Sequence, residues 1–370
     1  MNIKSLLLGS AAALIAVSGA RAADAVVVAE PEPAEYVKIC DVYGAGYFYI
    51  PGTETCLRIG GYVRYDIGVG DVNGLTDVND RSDPRSLNDT YKKLGRFALK
   101  TWTGQETELG TLKTYTETRF DWQTTRTKND PDTEVDEGNF AVAGNSGVTL
   151  NFAWIQLGGF RVGKDESAWN TFSGYAGEVI KDSLVGYGGD FDTGVIQYYF
   201  DAGNGFSAVI SLEQGAGDNT VDSYVPHVVG GVKYTQGWGS ISATGVYDSV
   251  WEEWGAKVRL DVNATNELSL WAMVNYGSES NVVENFFKNW DGNWAVYGGG
   301  TYKFNEKTSF NAQVSYDEGK SLAVAANVAY TIVPGFKVIG EVDYVNHAKS
   351  DYRDVSSDGF GGILRFQRSF

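Results

Sequence analysis

Most of the chain alternates apolar and polar residues with a period of two. Apolar residues at every second position from Trp254 to Val262, for example, alternate with Lys257, Arg259 and Asp261. Such alternation is typical of a β-strand, because successive side chains point to opposite faces. Several runs continue for nine or more residues. That length suits a tilted strand crossing a bilayer better than the strands of about five or six residues in most soluble sheets.

The alternation and the turn residues between the runs predict sixteen strands. We place them at 57–70, 93–103, 110–122, 147–158, 160–164, 192–201, 206–213, 227–236, 240–249, 252–262, 267–277, 294–304, 309–317, 321–332, 336–346 and 359–370. Short turns such as 237–239 alternate with mostly long polar connections such as 214–226. The predicted fold is an all-β, transmembrane, antiparallel β-barrel with short periplasmic turns and long extracellular loops. An even strand count lets the last strand pair with the first, which leaves no free edge.

The third long connection, residues 165–191, does not follow the pattern. It lacks sustained alternation, yet it contains aromatic residues such as Trp169 and Phe172. A loop of this length in a compact protein is usually functional or disordered. Taken alone, it fits equally well a segment folded into the barrel mouth or a surface loop outside it. The barrel pattern of the remaining chain favours the first interpretation, so we expect this loop three to enter the lumen and narrow it.

Charged residues suggest how such a constriction would work. The acidic residues of loop three are Asp165, Glu166, Glu178 and Asp182. Alternation places these basic residues on the lumen face of the wall: Arg58, Arg64, Arg96, Arg119, Arg161, Lys257 and Arg259. Acid facing base predicts a transverse field that disfavours apolar solutes. For any one basic residue, an ordinary solvated charge explains the pattern equally well.

The N-terminus has the three regions of a secretory signal. A short basic start precedes the apolar stretch 6–17, and Ala20-Arg21-Ala22 fits the small-x-small cleavage rule. We expect residues 1–22 to be removed and the protein to reach the bacterial outer membrane as a multi-pass barrel. Loss of the two basic residues in that segment takes the formal charge from −17 to −19. The acidic balance predicts cation preference, which the basic wall would offset locally.

Residues 23–56 form a leader before the predicted barrel at 57–370. It contains the only two cysteines of the chain, Cys40 and Cys56. An even cysteine count in an exported chain favours a disulfide. Their spacing does not fit a CxxC redox pair, and no histidine lies near enough in sequence to suggest zinc.

Several functions find little support in the sequence. The negative charge disfavours nucleic acid, since phosphate binding requires a basic face. The two histidines, His227 and His347, are far apart and belong to no ligand-spaced cluster, so we expect no metal, cofactor or catalytic residue. Three alternatives to a passive channel remain open. They are an outer-membrane enzyme, a surface protein such as an adhesin, phage receptor or wall anchor, and a soluble all-β protein.

One long segment carries a family resemblance. Residues 40–64, CDVYGAGYFYIPGTETCLRIGGYVR, resemble the start of the alphaproteobacterial porins of the Brucella and rhizobial type. The C-terminal GGILRFQRSF, with its terminal Phe370 and with Arg368, is also similar to that family. The resemblance implies a trimeric general diffusion porin, a passive water-filled channel for small hydrophilic solutes and ions. Outer-membrane lipid, lipopolysaccharide and two further copies of the chain would be its partners. The strand at 147–158 is apolar on both faces, which also suggests a subunit contact.

Overall fold

The computed structural model describes residues 38–83, 85–127, 139–189, 192–347 and 357–370. The predicted signal peptide and residues 23–37 of the leader lie outside these residues. Within them, sixteen strands form one antiparallel sheet in which each strand pairs with its neighbours along the chain. None of the helices in the described part of the chain is long and apolar enough to cross a membrane.

The barrel strands are β2 and β5–β19, and three shorter strands accompany them. The strands are β1 (Phe48–Tyr49), β2 (Cys56–Val69), β3 (Leu75–Asn79), β4 (Leu87–Thr90), β5 (Lys92–Thr107), β6 (Gly110–Arg126), β7 (Ala141–Leu157), β8 (Phe160–Glu166), β9 (Asp192–Asp201), β10 (Phe206–Glu213), β11 (His227–Gln236), β12 (Gly239–Asp248), β13 (Glu253–Asn263), β14 (Leu268–Gly277), β15 (Trp294–Lys303), β16 (Thr308–Asp317), β17 (Ser321–Val333), β18 (Phe336–His347) and β19 (Ser357–Ser369).

The barrel closes between its last and first strands. β19 runs antiparallel to β2, and Gly362 lies opposite Val69 in the register. The terminal Phe370 extends this pairing, because its amide donates to the Gly61 carbonyl at 3.1 Å and its carbonyl accepts from the Gly61 amide at 3.0 Å. Among the described residues, every barrel strand therefore pairs with a neighbour on each side, and the sheet is closed.

The structure confirms the sixteen predicted strands, with the largest difference at the β6–β7 hairpin. The sequence assigned residues 123–147 to a loop, but pairing continues to Arg126 and Ala141. This part of β7 contains Gly, Asn and Ser and is exposed on both faces. Alternation is absent there, because neither face meets a buried environment that would select apolar residues.

Small elements occupy the regions between the predicted strands. The first long connection contains the four-residue helix α1 (Gly70–Asn73) and the two-stranded sheet of β3 and β4. The leader contributes β1, which pairs with the start of β2. Cys40 and Cys56 form the predicted disulfide, so the bond joins the leader to the short-turn end of the barrel.

The two faces of the barrel differ in composition. Exposed apolar residues such as Val258, Val314 and Ile210 lie on the outside. Many inward positions are polar and buried, including Gln313, Asn327 and Glu341. They are buried because chain folded inside the barrel covers them, and loop three supplies much of that cover.

Candidate pore constriction

Loop three is fixed at its root by hydrogen bonds to inward-facing strand residues. Ser167 caps the short helix α2 (Ala168–Thr171) by accepting a hydrogen bond from the Trp169 amide at 3.1 Å. The Ala168 amide donates to Glu213 of β10 at 2.9 Å. Lys257 of β13 donates to the Trp169 carbonyl at 3.1 Å. These contacts turn the chain into the lumen as soon as β8 ends.

The tip of loop three contacts the opposite part of the wall. The Asp182 carbonyl accepts a hydrogen bond from Gln313 of β16 at 2.6 Å. The Glu178 carbonyl accepts from Asn327 of β17 at 3.1 Å. The carboxylate of Glu341 on β18 accepts from the Lys181 amide at 2.8 Å and from the Ile180 amide at 2.5 Å. The loop thus lies across the inside of the barrel, from β10 to β18.

An apolar core inside the barrel supports this arrangement. It combines residues of loop three and of loop six (278–293) with small or apolar inward-facing wall residues. Its larger members are Trp169, Phe172, Tyr187, Met273, Phe286, Phe287, Trp290 and Tyr297. Phe172 packs beside Gly231, where a Cβ atom would lie 2.7 Å from the ring. This packing fills one side of the lumen and leaves the β2–β6 wall facing the loop tip.

The four acidic residues predicted for loop three differ in their surroundings, and two of them, Asp165 and Glu166, belong to the end of β8 instead. Asp165 is buried and forms an ion pair with Arg161 at 2.6 Å. Glu166 accepts a hydrogen bond from the Tyr175 hydroxyl. Asp182 accepts one from the Tyr187 hydroxyl at 2.8 Å.

The other two carboxylates, Asp182 and Glu178, form no ion pair within the described part of the chain. Burial, opposed by the Tyr187 hydrogen bond and reinforced by Glu341 and Glu178, raises the pKa of Asp182 to about 6. Glu178 is exposed and has no basic partner within 4.0 Å among the described residues. Glu178, together with Asp182 at higher pH, therefore supplies the negative charge of the loop.

Three of the predicted arginines lie together on the wall formed by β2, β5 and β6, and each of them lies beside a carboxylate. Arg96 donates two hydrogen bonds to Asp121 at 2.6 and 2.7 Å. Arg119 lies 2.6 Å from Glu117, which Lys100 also approaches at 3.1 Å. Arg64 lies 3.5 Å from Asp66, whose carboxylate also binds Arg365 at 2.8 Å. The wall is a ladder of alternating charges, in which basic groups outnumber the acidic groups they contact.

The remaining predicted basic residues are placed differently. Lys257 is fully buried and Arg259 is 8% exposed, because loop three covers both. Arg259 donates to the Tyr175 carbonyl of loop three, whereas Arg161 pairs with Asp165 within β8, so neither side chain faces the loop across open space. The expectation that they act as open lumen charges does not match this placement. Arg58 stacks over the Trp102 ring at 4.7 Å, only two residues from the short-turn start of β2.

Sequence reasoning missed the strand residues that hold the loop tip. These residues are Gln313, Asn327 and Glu341. The alternation of the predicted strands places them on the inner face, and this was the only signal in the sequence that they could contact the loop. Asn73, which lies in the first long connection between predicted strands, is buried and donates to Asp343 at 2.5 Å. Among the described residues, no group of three or more His, Cys, Asp or Glu could hold a metal ion.

Known proteins resemble this chain over most of its length. The family model for the porin subfamily matches residues 24–360. The porin Omp2b of Brucella abortus strain 2308 is 52% identical over 381 residues, covering 100% of both chains. Omp2b of Brucella melitensis is 51% identical with the same coverage.

Solved outer-membrane channels share the fold. The channel DcaP of Acinetobacter baumannii superimposes with a TM-score of 0.60 at 18% identity, covering 87% of this chain and 99% of the other. A triple mutant of the Rhodopseudomonas blastica porin gives 0.55 at 15% identity, covering 85% and 100%. At these identities the likeness concerns the fold alone. The family match and the 52% identity to a porin over the full length show that this chain belongs to the porin subfamily of outer-membrane channel proteins.

Proposed function

We propose that the protein is a general diffusion porin whose narrowest point lies between loop three and the β2–β6 wall. The position of loop three carries the proposal, since its tip is hydrogen-bonded to Gln313, Asn327 and Glu341 inside the barrel. A sixteen-stranded barrel is wide enough to enclose an aqueous channel. Small hydrophilic solutes and ions would cross by diffusion, because nothing in this arrangement requires an energy source.

The charge arrangement supports a transverse field at this point. Glu178 and Asp182 lie on the loop, and Arg64, Arg96 and Arg119 lie on the wall. A solute entering the gap must exchange part of its hydration shell for these groups, which disfavours apolar solutes. Because each wall arginine has a carboxylate beside it, the acidic balance of the chain leaves a weak overall preference for cations.

We also propose a homotrimer, with part of the β5–β7 wall as the subunit contact. Thr101 lies 2.6 Å from Thr116, and Thr103 lies 2.6 Å from Thr114, between their hydroxyl oxygens. These side chains face outward, because the alternate positions carry inward residues such as Trp102. A patch of hydroxyls on the outer wall suits protein contact better than hydrocarbon.

Single-channel recording tests the pore. The purified protein is inserted into a planar bilayer, beside a variant in which residues 168–189 are replaced by a short Gly-Ser linker. Conductance steps for the wild type and larger steps for the variant are the expected result. A control replaces the exposed segment 222–225 of another long loop in the same way and leaves the step size unchanged. Equal conductance in wild type and loop-three variant would contradict a constriction formed by this loop.

A further inference from the structure

A cavity of about 340 Å³ opens between the tip of loop three and the wall of the first strands. Its charged lining residues are Arg64, Asp66, Lys92, Lys181 and Arg365. Four of these five side chains are basic, and they come from four separate segments: β2, the start of β5, loop three and β19. The fold therefore concentrates positive charge at one point of an acidic protein.

The one lining carboxylate is already committed to basic partners. Asp66 accepts two hydrogen bonds from Arg365, at 2.8 and 2.9 Å, and lies 3.5 Å from Arg64 Nε. That Nε atom is buried and donates no hydrogen bond within the described part of the chain. The Asp66 carboxylate is thus shared between two guanidinium groups and balances only one positive charge.

The two lysines of the cavity have no such partner. Neither Lys92 nor Lys181 lies within 4.0 Å of a carboxylate among the described residues. Burial and then the nearby charge of Lys92 lower the pKa of the Lys181 ammonium. Like charges held this close repel each other, and an anion between them relieves that repulsion.

Two acidic side chains outside the lining, Asp343 and Glu341, offset only part of this charge: they act to raise the pKa of Lys181, but burial and Lys92 outweigh them. Glu341 accepts hydrogen bonds from the Ile180 and Lys181 amides and from Asn327, and Asp343 accepts one from Asn73. Glu341 also fixes the backbone at Lys181, so this lysine is held beside the wall cluster. The cavity is consequently a preformed group of donors, since Arg64, Arg365, Lys92 and Lys181 converge on it before a solute arrives.

We propose that this cavity is a binding site for small oxyanions, inorganic phosphate or phosphorylated solutes, in the path through the barrel. The proposal rests on the porin function and adds a solute class to it. Guanidinium and ammonium groups are the donors that bind phosphate oxygens in proteins. Loop three supplies one of them, Lys181, although its other charged residues near the tip are acidic. Bound phosphate adds negative charge beside the pore and thereby strengthens its preference for potassium over chloride.

The test uses the full-length protein in a planar bilayer of phosphatidylcholine, which contains no anionic lipid headgroup. Inorganic phosphate is added to potassium chloride at constant ionic strength, and the reversal potential is recorded in a salt gradient. We expect saturable loss of chloride current and a shift towards cation preference. Lys181→Gln and Lys92→Gln should each raise the half-effective phosphate concentration about fivefold, a modest figure suited to a partly solvated ion pair.

A matched control and a second readout separate the possible outcomes. Lys307→Gln removes an exposed charge at a short turn and should respond to phosphate as the wild type does. Line broadening in the phosphorus NMR spectrum, recorded with protein in neutral detergent, measures binding without any current. Normal conductance steps with identical phosphate responses in wild type, Lys181→Gln and Lys92→Gln would overturn the binding site and leave the porin intact. An absence of steps would instead count against the porin function, and the NMR measurement would still decide the site.

Discussion

The Lys257 ammonium lies 3.1 Å from the carbonyl oxygen of Trp169 and 4.4 Å from the centre of its indole ring. Both side chains are fully buried. A lysine on the lumen face of a porin wall is ordinarily a candidate for ion selection. This one holds the root of loop three, because the loop covers it and takes up its hydrogen bonds.

The first prediction concerns this contact. Lys257→Met keeps the aliphatic packing but removes the donor, so the Trp169 carbonyl loses its wall partner. We expect local docking of the loop to weaken by about 1–3 kcal/mol, the usual cost of a buried polar group left unpaired. Hydrogen exchange of the amides from Trp169 to Phe172, measured by mass spectrometry, reports this local opening.

A surface lysine serves as the control for that measurement. Lys307→Met, at the short-turn end, should leave exchange in loop three unchanged. The variant Lys257→Met should also increase open-channel current noise, since a loosened loop fluctuates in the pore. Unchanged exchange in Lys257→Met would show that apolar packing alone positions the loop.

The strand pattern was predictable, whereas the contacts inside the barrel were not. Alternation identified β13 and placed Lys257 on the inner face correctly, because the bilayer selects apolar residues on the other face. Nothing local indicates which inward residue a loop will cover. Glu341 and Lys181 are 160 positions apart in the chain, so only the closed barrel brings them together. For the same reason, periodicity could not predict that Lys181 and Arg365 line one cavity.

The second prediction is a pH dependence of ion preference. The pKa of Asp182 is about 6, so this carboxylate becomes protonated as the pH falls from 7 to 5. Loss of its charge should reduce cation preference, measured as the reversal potential in a potassium chloride gradient. Asp182→Asn should show the low-pH value of that potential throughout the range, whereas Glu306→Gln at an exposed turn should titrate like the wild type.

The same group affects stability in a defined direction. A carboxylate with a raised pKa binds more protons in the folded than in the unfolded state, between its ordinary value of 3.8 and about 6. Its contribution to stability is fully present below 3.8 and is lost as the pH rises through 6. Asp182→Asn should therefore stabilise loop docking at pH 7 and have little effect at pH 3, as seen by hydrogen exchange. Stabilisation of the same size at both pH values would contradict the assigned titration.

The third prediction concerns the disulfide. Cys40 and Cys56 are 16 positions apart, and a crosslink over such a loop stabilises a fold by about 3 kcal/mol in the chain-entropy description. Replacing both with Ser should lower the urea midpoint of barrel unfolding. Conductance should not change, because the bond lies at the short-turn end and loop three has its own contacts. A changed step size with intact folding would mean that the leader reaches the constriction.

The last prediction tests the subunit contact on the outer wall. Thr116 lies in the hydroxyl patch of β5 and β6, and a bulky side chain there would separate two packed barrels. Thr116→Trp should convert trimers to monomers, measured as molar mass by light scattering in detergent. Val314→Trp places the same side chain on the exposed outer face of β16 and should leave the trimer intact, since lipid or detergent accommodates it. If Thr116→Trp stays trimeric while Val314→Trp dissociates, the contact lies on the β16 side of the barrel.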